Sequence, residues 1–166
     1  CYRLLPSDVT LIGITGSNGK TTTTTLTYEI LKNANMPVIL AGNIGYPLSS
    51  VIENVKSNDI LLMEISIQQL CNFDKFKTNI SVLTNIYDAH LDFVGNIENY
   101  INIKKRIFNH HTKDDYAILN YDNEIVKNNY NDIMSFKEYF SKENKNVKCY
   151  LSNGDIYFDG KKLIST

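Results

Sequence analysis

The 166-residue chain has no tryptophan, only three prolines and three cysteines, and a formal net charge of −1. So small a charge argues against wholesale electrostatic binding to nucleic acid or to an anionic membrane. Cys1, Cys71 and Cys149 are odd in number and scattered, without metal-type spacing. Free thiols in a reducing cytoplasm are therefore expected. No apolar run approaches the ~20 residues needed to span a bilayer, so no membrane insertion is expected. The opening Cys1-Tyr2-Arg3-Leu4-Leu5 carries no signal-peptide pattern. It also lacks an initiator Met, and the chain is expected to be a piece of something longer. Its length suits one α/β domain or most of one, and 43% hydrophobic residues suffice for a core.

What is present begins with Thr15-Gly16-Ser17-Asn18-Gly19-Lys20-Thr21-Thr22, directly after the apolar run 9–14. A buried strand, a glycine-rich turn with Lys-Thr, and then a helix make a phosphate cradle. Backbone N–H groups of the turn and of the helix N-terminus point at anionic oxygens. Lys20 would reach the outer phosphates and the Thr21 hydroxyl would ligate Mg²⁺. A Cβ at Gly16 or Gly19 would block close backbone approach. The pattern departs from G-x-x-x-x-G-K-[ST] in one place, where Ile14 stands for the first Gly.

Strand signals alternate with helical stretches. They predict an α/β fold, a mostly parallel sheet flanked by helices, P-loop NTPase-like, with a C-terminal β-hairpin. Strands are expected over residues 9–15, 37–40, 60–63 (ending at Glu64), 80–84 and 116–119, and helices over 20–33, 47–55 and 97–108. Residues 21–25 are five threonines, whose β-branching locally favours a strand. The phosphate cradle needs a helix N-terminus there and decides for helix. Residues 128–146 are polar and rich in Asn and Lys, and read as a surface connection. Ile156-Tyr157-Phe158 and Lys162-Leu163-Ile164 flank Asp159-Gly160 as a hairpin with a two-residue turn.

In such sheets function gathers at the C-terminal ends of strands. Gly42-Asn43-Ile44-Gly45, Glu64-Ile65-Ser66, and the stretch from Asn85 through Asp88 and His90 to Asp92 all fall there. Glu64 ends an apolar strand, where an unpaired carboxylate is costly to bury and a metal would stabilise it; the other reading is a cap for a helix starting near Ser66. His90 reads as a metal ligand because its strand neighbours a phosphate site. Asp92 could orient its ring, and Asp88 is equally a turn residue. Lys104-Lys105-Arg106 read by residue type as a solvated face; they point in different directions, and Lys104 shares a less solvent-like face with Tyr100, Ile101 and Phe108. His110-His111 close that helix as charge partners of its dipole. The turn Asn120-Tyr121-Asp122-Asn123 either touches nucleotide or is simply a turn.

Together these motifs resemble the Mur ligase family, ATP-dependent enzymes that build the peptidoglycan stem peptide. The resemblance rests on Gly16 to Thr22, Gly42-Asn43-Ile44-Gly45, Glu64-Ile65-Ser66 with Gln69-Leu70, Asn85 with His90-Leu91-Asp92, and Tyr100 with Lys104, in family order. It implies that Lys20 and the backbone of Gly16, Ser17, Asn18, Gly19, Thr21 and Thr22 bind ATP phosphates. It further implies that Thr21 and Glu64 hold one Mg²⁺, that His90 and a carbamylated Lys104 hold a second, and that Asn43 and Ser66 face the substrate. The Asn-Ile-Gly form is similar to that of the member joining D-glutamate to UDP-N-acetylmuramoyl-L-alanine through an acyl phosphate. The family's Glu-x-Ser-Ser-Phe-Gln-Leu element carries Ile67 and Gln68 here, and Val94 replaces a second His. The resemblance also implies that residues 1–8 are a linker and 9–166 a central ATPase domain, truncated before its C-terminal helices and inactive alone. N- and C-terminal domains of the same protein would be its partners. A diamino acid-adding or folylpolyglutamate synthase-like ligase, a non-catalytic nucleotide-binding regulatory module, and a P-loop kinase or switch protein are the alternatives.

Overall fold

The computed structural model describes residues 4–88 and 91–165. Among the described residues nine strands form one sheet in the order β2-β3-β1-β4-β5-β6-β7-β8-β9. They are β1 (Thr10–Thr15), β2 (Val38–Gly42), β3 (Ile60–Glu64), β4 (Ile80–Leu83), β5 (Tyr116–Asn120), β6 (Phe136–Ser141), β7 (Cys149–Ser152), β8 (Asp155–Phe158) and β9 (Lys161–Ser165). Pairing is parallel through β7, and β7-β8-β9 is antiparallel. β1 lies between β3 and β4, so the chain reverses its direction across the sheet at β1, and the C-terminal ends of strands at such a reversal are where sheets of this kind bind ligands.

The helices are α1 (Lys20–Asn33), α2 (Leu48–Val51), α3 (Ile67–Cys71), α4 (Leu91–Val94), α5 (Ile97–Lys105) and α6 (Glu124–Asn129). Helix α1 forms despite its threonine run because residues 24, 28 and 31 turn inward while the other threonines stay wholly or partly exposed. Alternation along β1 divides the core in two. Ile12 and Ile14 join Ile60 and Leu62 under Tyr28 and Leu31 of α1. Leu11 faces the other way, into the larger cluster with Ile65, Tyr100, Ile107, Phe108 and Val126. Every residue of β3 is buried, as a central parallel strand requires.

Along the α1 side of β4, β5 and β6 runs an apolar groove of about 900 Å³, lined by Leu26, Val82, Ile118, Phe140, Cys149 and Phe158 among others. Its upper end meets Asn18, Gly19 and Asn85.

Two expectations need correction, and one open reading gains a part. The stretch 128–146 is not merely a connection, because β6 lies inside it and pairs with β5. The stretch Asn120 to Asn123 does turn, as one of its two readings had it, and Asn123 in addition caps α6 through Val126 N–H. His111 is no charge partner of a helix dipole. It is buried, with Nε2 2.8 Å from Thr78 Oγ1 and 3.1 Å from Ser81 Oγ, and Nδ1 2.6 Å from Ser135 Oγ. Burial, reinforced by Lys77 and opposed by Asp115, lowers its pKa to about 4, so the ring is neutral at pH 7.

Candidate nucleotide and metal site

The end of β1 delivers the chain into the glycine-rich loop. A Cβ on Gly16 would stand 1.9 Å from Thr84 Oγ1, so only glycine lets the loop lie against the segment leaving β4. Gly19 caps α1 at φ 78°, with no side-chain cap and open space where a Cβ would be. The first-turn amides of α1, which have no partners within the helix, therefore face a clear approach. Lys20 curls back, its Nζ donating to Gly16 O and Ser17 O, each at 3.0 Å. Thr21 and Thr22 are exposed.

Residues 84–87 act as a template for the loop. Ser17 N–H donates to Asn85 O at 3.0 Å and Asn18 N–H to Asn85 Oδ1 at 2.9 Å. Asn85 Nδ2 and Thr84 Oγ1 both donate to Asn18 O, at 3.1 and 2.7 Å. Ser17 Oγ accepts from Tyr87 N–H at 2.9 Å and lies 3.0 Å from Tyr100 OH. Its buried hydroxyl thus ties the loop to its surroundings, and the open anion donors lie farther along, at Gly19 and the start of α1.

Glu64, at the end of β3, is 1% exposed. Its Oε1 accepts from Asn43 Nδ2 at 2.7 Å. Its Oε2 is buried without a hydrogen-bond partner among the described residues. An unpaired buried carboxylate oxygen is unfavourable, and a hard divalent cation is the chemistry that satisfies it. Gly42 makes the contact between Glu64 and Asn43 attainable: at φ 108°, a Cβ there would stand 2.2 Å from Glu64 O. Among the described residues no group of three His, Cys, Asp or Glu could hold a metal. A cation at Glu64 would complete its shell with further oxygens, from hydroxyl, phosphate or water, as Mg²⁺ commonly does.

Lys104 lies under the loop, 1% exposed. Its Nζ donates to Thr15 Oγ1 at 2.9 Å and to Gly16 O at 3.1 Å. It also lies 5.5 Å from the ring centroid of Tyr100, which is itself fully buried. Burial, and then the charge of Lys20, lower its pKa to about 7, against smaller raising effects of Cys71 and Glu64. A substantial neutral fraction makes this amine a nucleophile at physiological pH. Its neighbours diverge, Lys105 pairing with Asp132 and Arg106 Nη1 donating to Cys71 O at 2.9 Å.

Ser66 caps α3 in a capping box, its Oγ accepting from Gln69 N–H and its own N–H donating to Gln69 Oε1. Its hydroxyl proton remains available to a ligand. Asn43, Glu64 and Ser66 are thus grouped at the ends of β2 and β3. Asp92 is exposed on α4, and His90 lies outside the described residues. Sequence reasoning gave no role of their own to Thr15, which opens the loop motif, or to Thr84; their hydroxyls position Lys104 and the loop. Their signal was a β-branched polar residue at each strand's C-terminal end.

A family model described as the Mur ligase middle domain matches residues 14–165. The UDP-N-acetylmuramoylalanine–D-glutamate ligase of Streptococcus equi subsp. zooepidemicus is 42% identical over 161 residues, covering 97% of this chain and 36% of that protein. The protein of the same name from Staphylococcus epidermidis is 40% identical over 163 residues, covering 98% and 36%. The chain thus spans about a third of the length of these curated relatives. Among solved structures, MurF ligase from Thermotoga maritima in complex with ADP aligns with a TM-score of 0.68 at 27% identity, covering 92% of this chain and 39% of that one. A family model that matches nearly its whole length, together with relatives of about 40% identity along it, shows that the chain belongs to the Mur ligase family.

Proposed function

We propose that this chain is the central ATPase domain, residues 9–166 after a linker at 1–8, of an ATP-dependent ligase that joins D-glutamate to UDP-N-acetylmuramoyl-L-alanine in the cytoplasm. The observation that carries the reading is Lys104, an amine of lowered pKa buried against Gly16 of the phosphate loop, beside a carboxylate with an unpaired oxygen. The kinase or switch alternative assigns this amine no part. The naming of the 42%-identical relative supports the choice of acceptor.

In this reading the amides of Gly19, Lys20, Thr21 and Thr22 bind the ATP phosphates, and Gly16, Ser17 and Asn18 shape the loop around them. Lys20 exchanges its two loop carbonyls for phosphate oxygens. Thr21 and Glu64 would hold one Mg²⁺, and His90 with the carbamate of Lys104 a second. Bound Mg²⁺ offsets the negative charge that builds up on the transferring phosphoryl group. The carbamate forms when neutral Nζ adds to CO₂ and releases a proton. Asn43 and Ser66 orient the muramoyl substrate. Its carboxylate attacks the γ-phosphorus, and the bond to the ADP oxygen breaks. The D-glutamate amine then attacks the acyl phosphate carbon, and phosphate and a proton leave.

The test is phosphate release from Mg·ATP by the full-length parent, with UDP-N-acetylmuramoyl-L-alanine present, with and without D-glutamate. Release that requires both substrates is expected. Turnover that ignores D-glutamate but responds to another amino acid would move the protein to a sister ligase or a folylpolyglutamate synthase-like role. ATP binding without turnover for any acceptor would favour a regulatory module.

A further inference from the structure

The loop takes its shape from residues 84–87, and those residues are held in turn from the far side. Asn120 Nδ2, at the end of β5, donates to Thr84 O at 2.8 Å. Asn123, 6% exposed, holds both backbone polar groups of one residue: its Oδ1 accepts from Ile86 N–H at 3.3 Å, and its Nδ2 donates to Ile86 O at 3.1 Å. The same Oδ1 accepts from Val126 N–H at 3.1 Å and caps α6. Ile86 is fully buried, so its two backbone groups need these partners. On one side of Ile86, Asn85 bonds the loop at Ser17 and Asn18; on the other, Tyr87 N–H donates to Ser17 Oγ. One side-chain amide thus fixes the residue between the two that shape the loop.

We propose that Asn123 is a positioning residue of the nucleotide site. The turn between β5 and α6 latches residues 84–87, and these set the conformation of the loop. The proposal rests on the reading of that loop as an ATP site. Serine at position 123 separates the latch from the cap. A serine oxygen still caps α6, but the shorter side chain carries no amide and does not reach Ile86.

The experiment uses the full-length parent and its Asn123→Ser variant, well below the unfolding midpoint. Mg·ATP affinity and backbone hydrogen exchange are measured. The expected result is affinity weaker by about tenfold, since small displacements of positioning groups have large effects. KM for UDP-N-acetylmuramoyl-L-alanine should not change. The amides of Ser17 and Asn18 should exchange faster, while those of β1 and β3 stay protected. A variant with a lower unfolding midpoint but wild-type affinity and wild-type exchange at 17–18 would overturn the latch and leave Asn123 structural. A wild-type protein that binds no Mg·ATP would overturn the functional reading instead. The exchange measurement would still decide whether the latch holds the loop.

Discussion

Lys104 Nζ donates a hydrogen bond to the carbonyl of Gly16 at 3.1 Å, so α5 is fastened to the underside of the phosphate loop by this amine as well as by Tyr100 OH, 3.0 Å from Ser17 Oγ. That amine is held where its charge is disfavoured. Lys104→Met should therefore raise stability, by ~1–3 kcal/mol in urea titrations near pH 7. The same change should cut ligase turnover of the parent by ~10²-fold or more. A lysine present only for packing would give neither the rise nor the loss together.

Glu64→Gln separates charge from packing in the same way. The amide keeps an oxygen for Asn43 Nδ2 and removes the buried charge. Thermal stability should hold or rise, while Mg²⁺-dependent ATP affinity drops roughly tenfold or more. Calorimetry with and without Mg²⁺ checks this. Equal Mg·ATP affinity in variant and wild type would remove Glu64 from the metal site.

His111 predicts how the fold responds to acid. Its folded pKa of about 4 lies below the unfolded value of 6.5, so the unfolded chain binds the extra proton first. Its contribution is fully present above pH 6.5 and is lost as pH falls toward 4, by about 3 kcal/mol in all. Urea midpoints measured from pH 7.5 to 4.5 should fall along this slope, and His111→Gln should flatten it.

Two glycines of the site should answer differently to alanine. At Gly42 the new Cβ meets Glu64 O at 2.2 Å with φ at 108°, a backbone clash with no flexible neighbour to give way. Gly42→Ala should cost about 2–4 kcal/mol. At Gly19 nothing lies within 4 Å, and only the left-handed φ of 78° is strained. Gly19→Ala should cost ~1–2 kcal/mol in stability. It should nonetheless weaken nucleotide binding, because its methyl occupies the approach to the first amides of α1.

What the sequence made legible was local. Helix α1 runs over the residues that the loop demanded, 20–33, although its threonines argue for a strand. The parallel strands up to β5 were readable from their apolar runs. Strand β6 was not, because Phe136-Lys137-Glu138-Tyr139-Phe140-Ser141 does not alternate and sits in an Asn- and Lys-rich stretch. Its pairing with β5 makes it a strand. The candidate site followed the same rule. Lys20, Glu64 and Lys104 announced themselves by motif or by a charge on an apolar face. Asn123 and His111 did not, since each depends on partners more than 20 residues away along the chain.

The central position of β1 bears on the order of synthesis. Within this sheet the strand that carries the loop is made well before β3 and β4, the partners of its two edges. Thr15 meets Ile65 after 50 residues, and Asn18 meets Asn85 after 67. On the ribosome an apolar strand and its loop must wait, unpaired, until β3 and then β4 emerge. The lysine beneath the loop arrives later still, 88 residues after Gly16. The loop therefore completes these contacts only after residue 104 has been made.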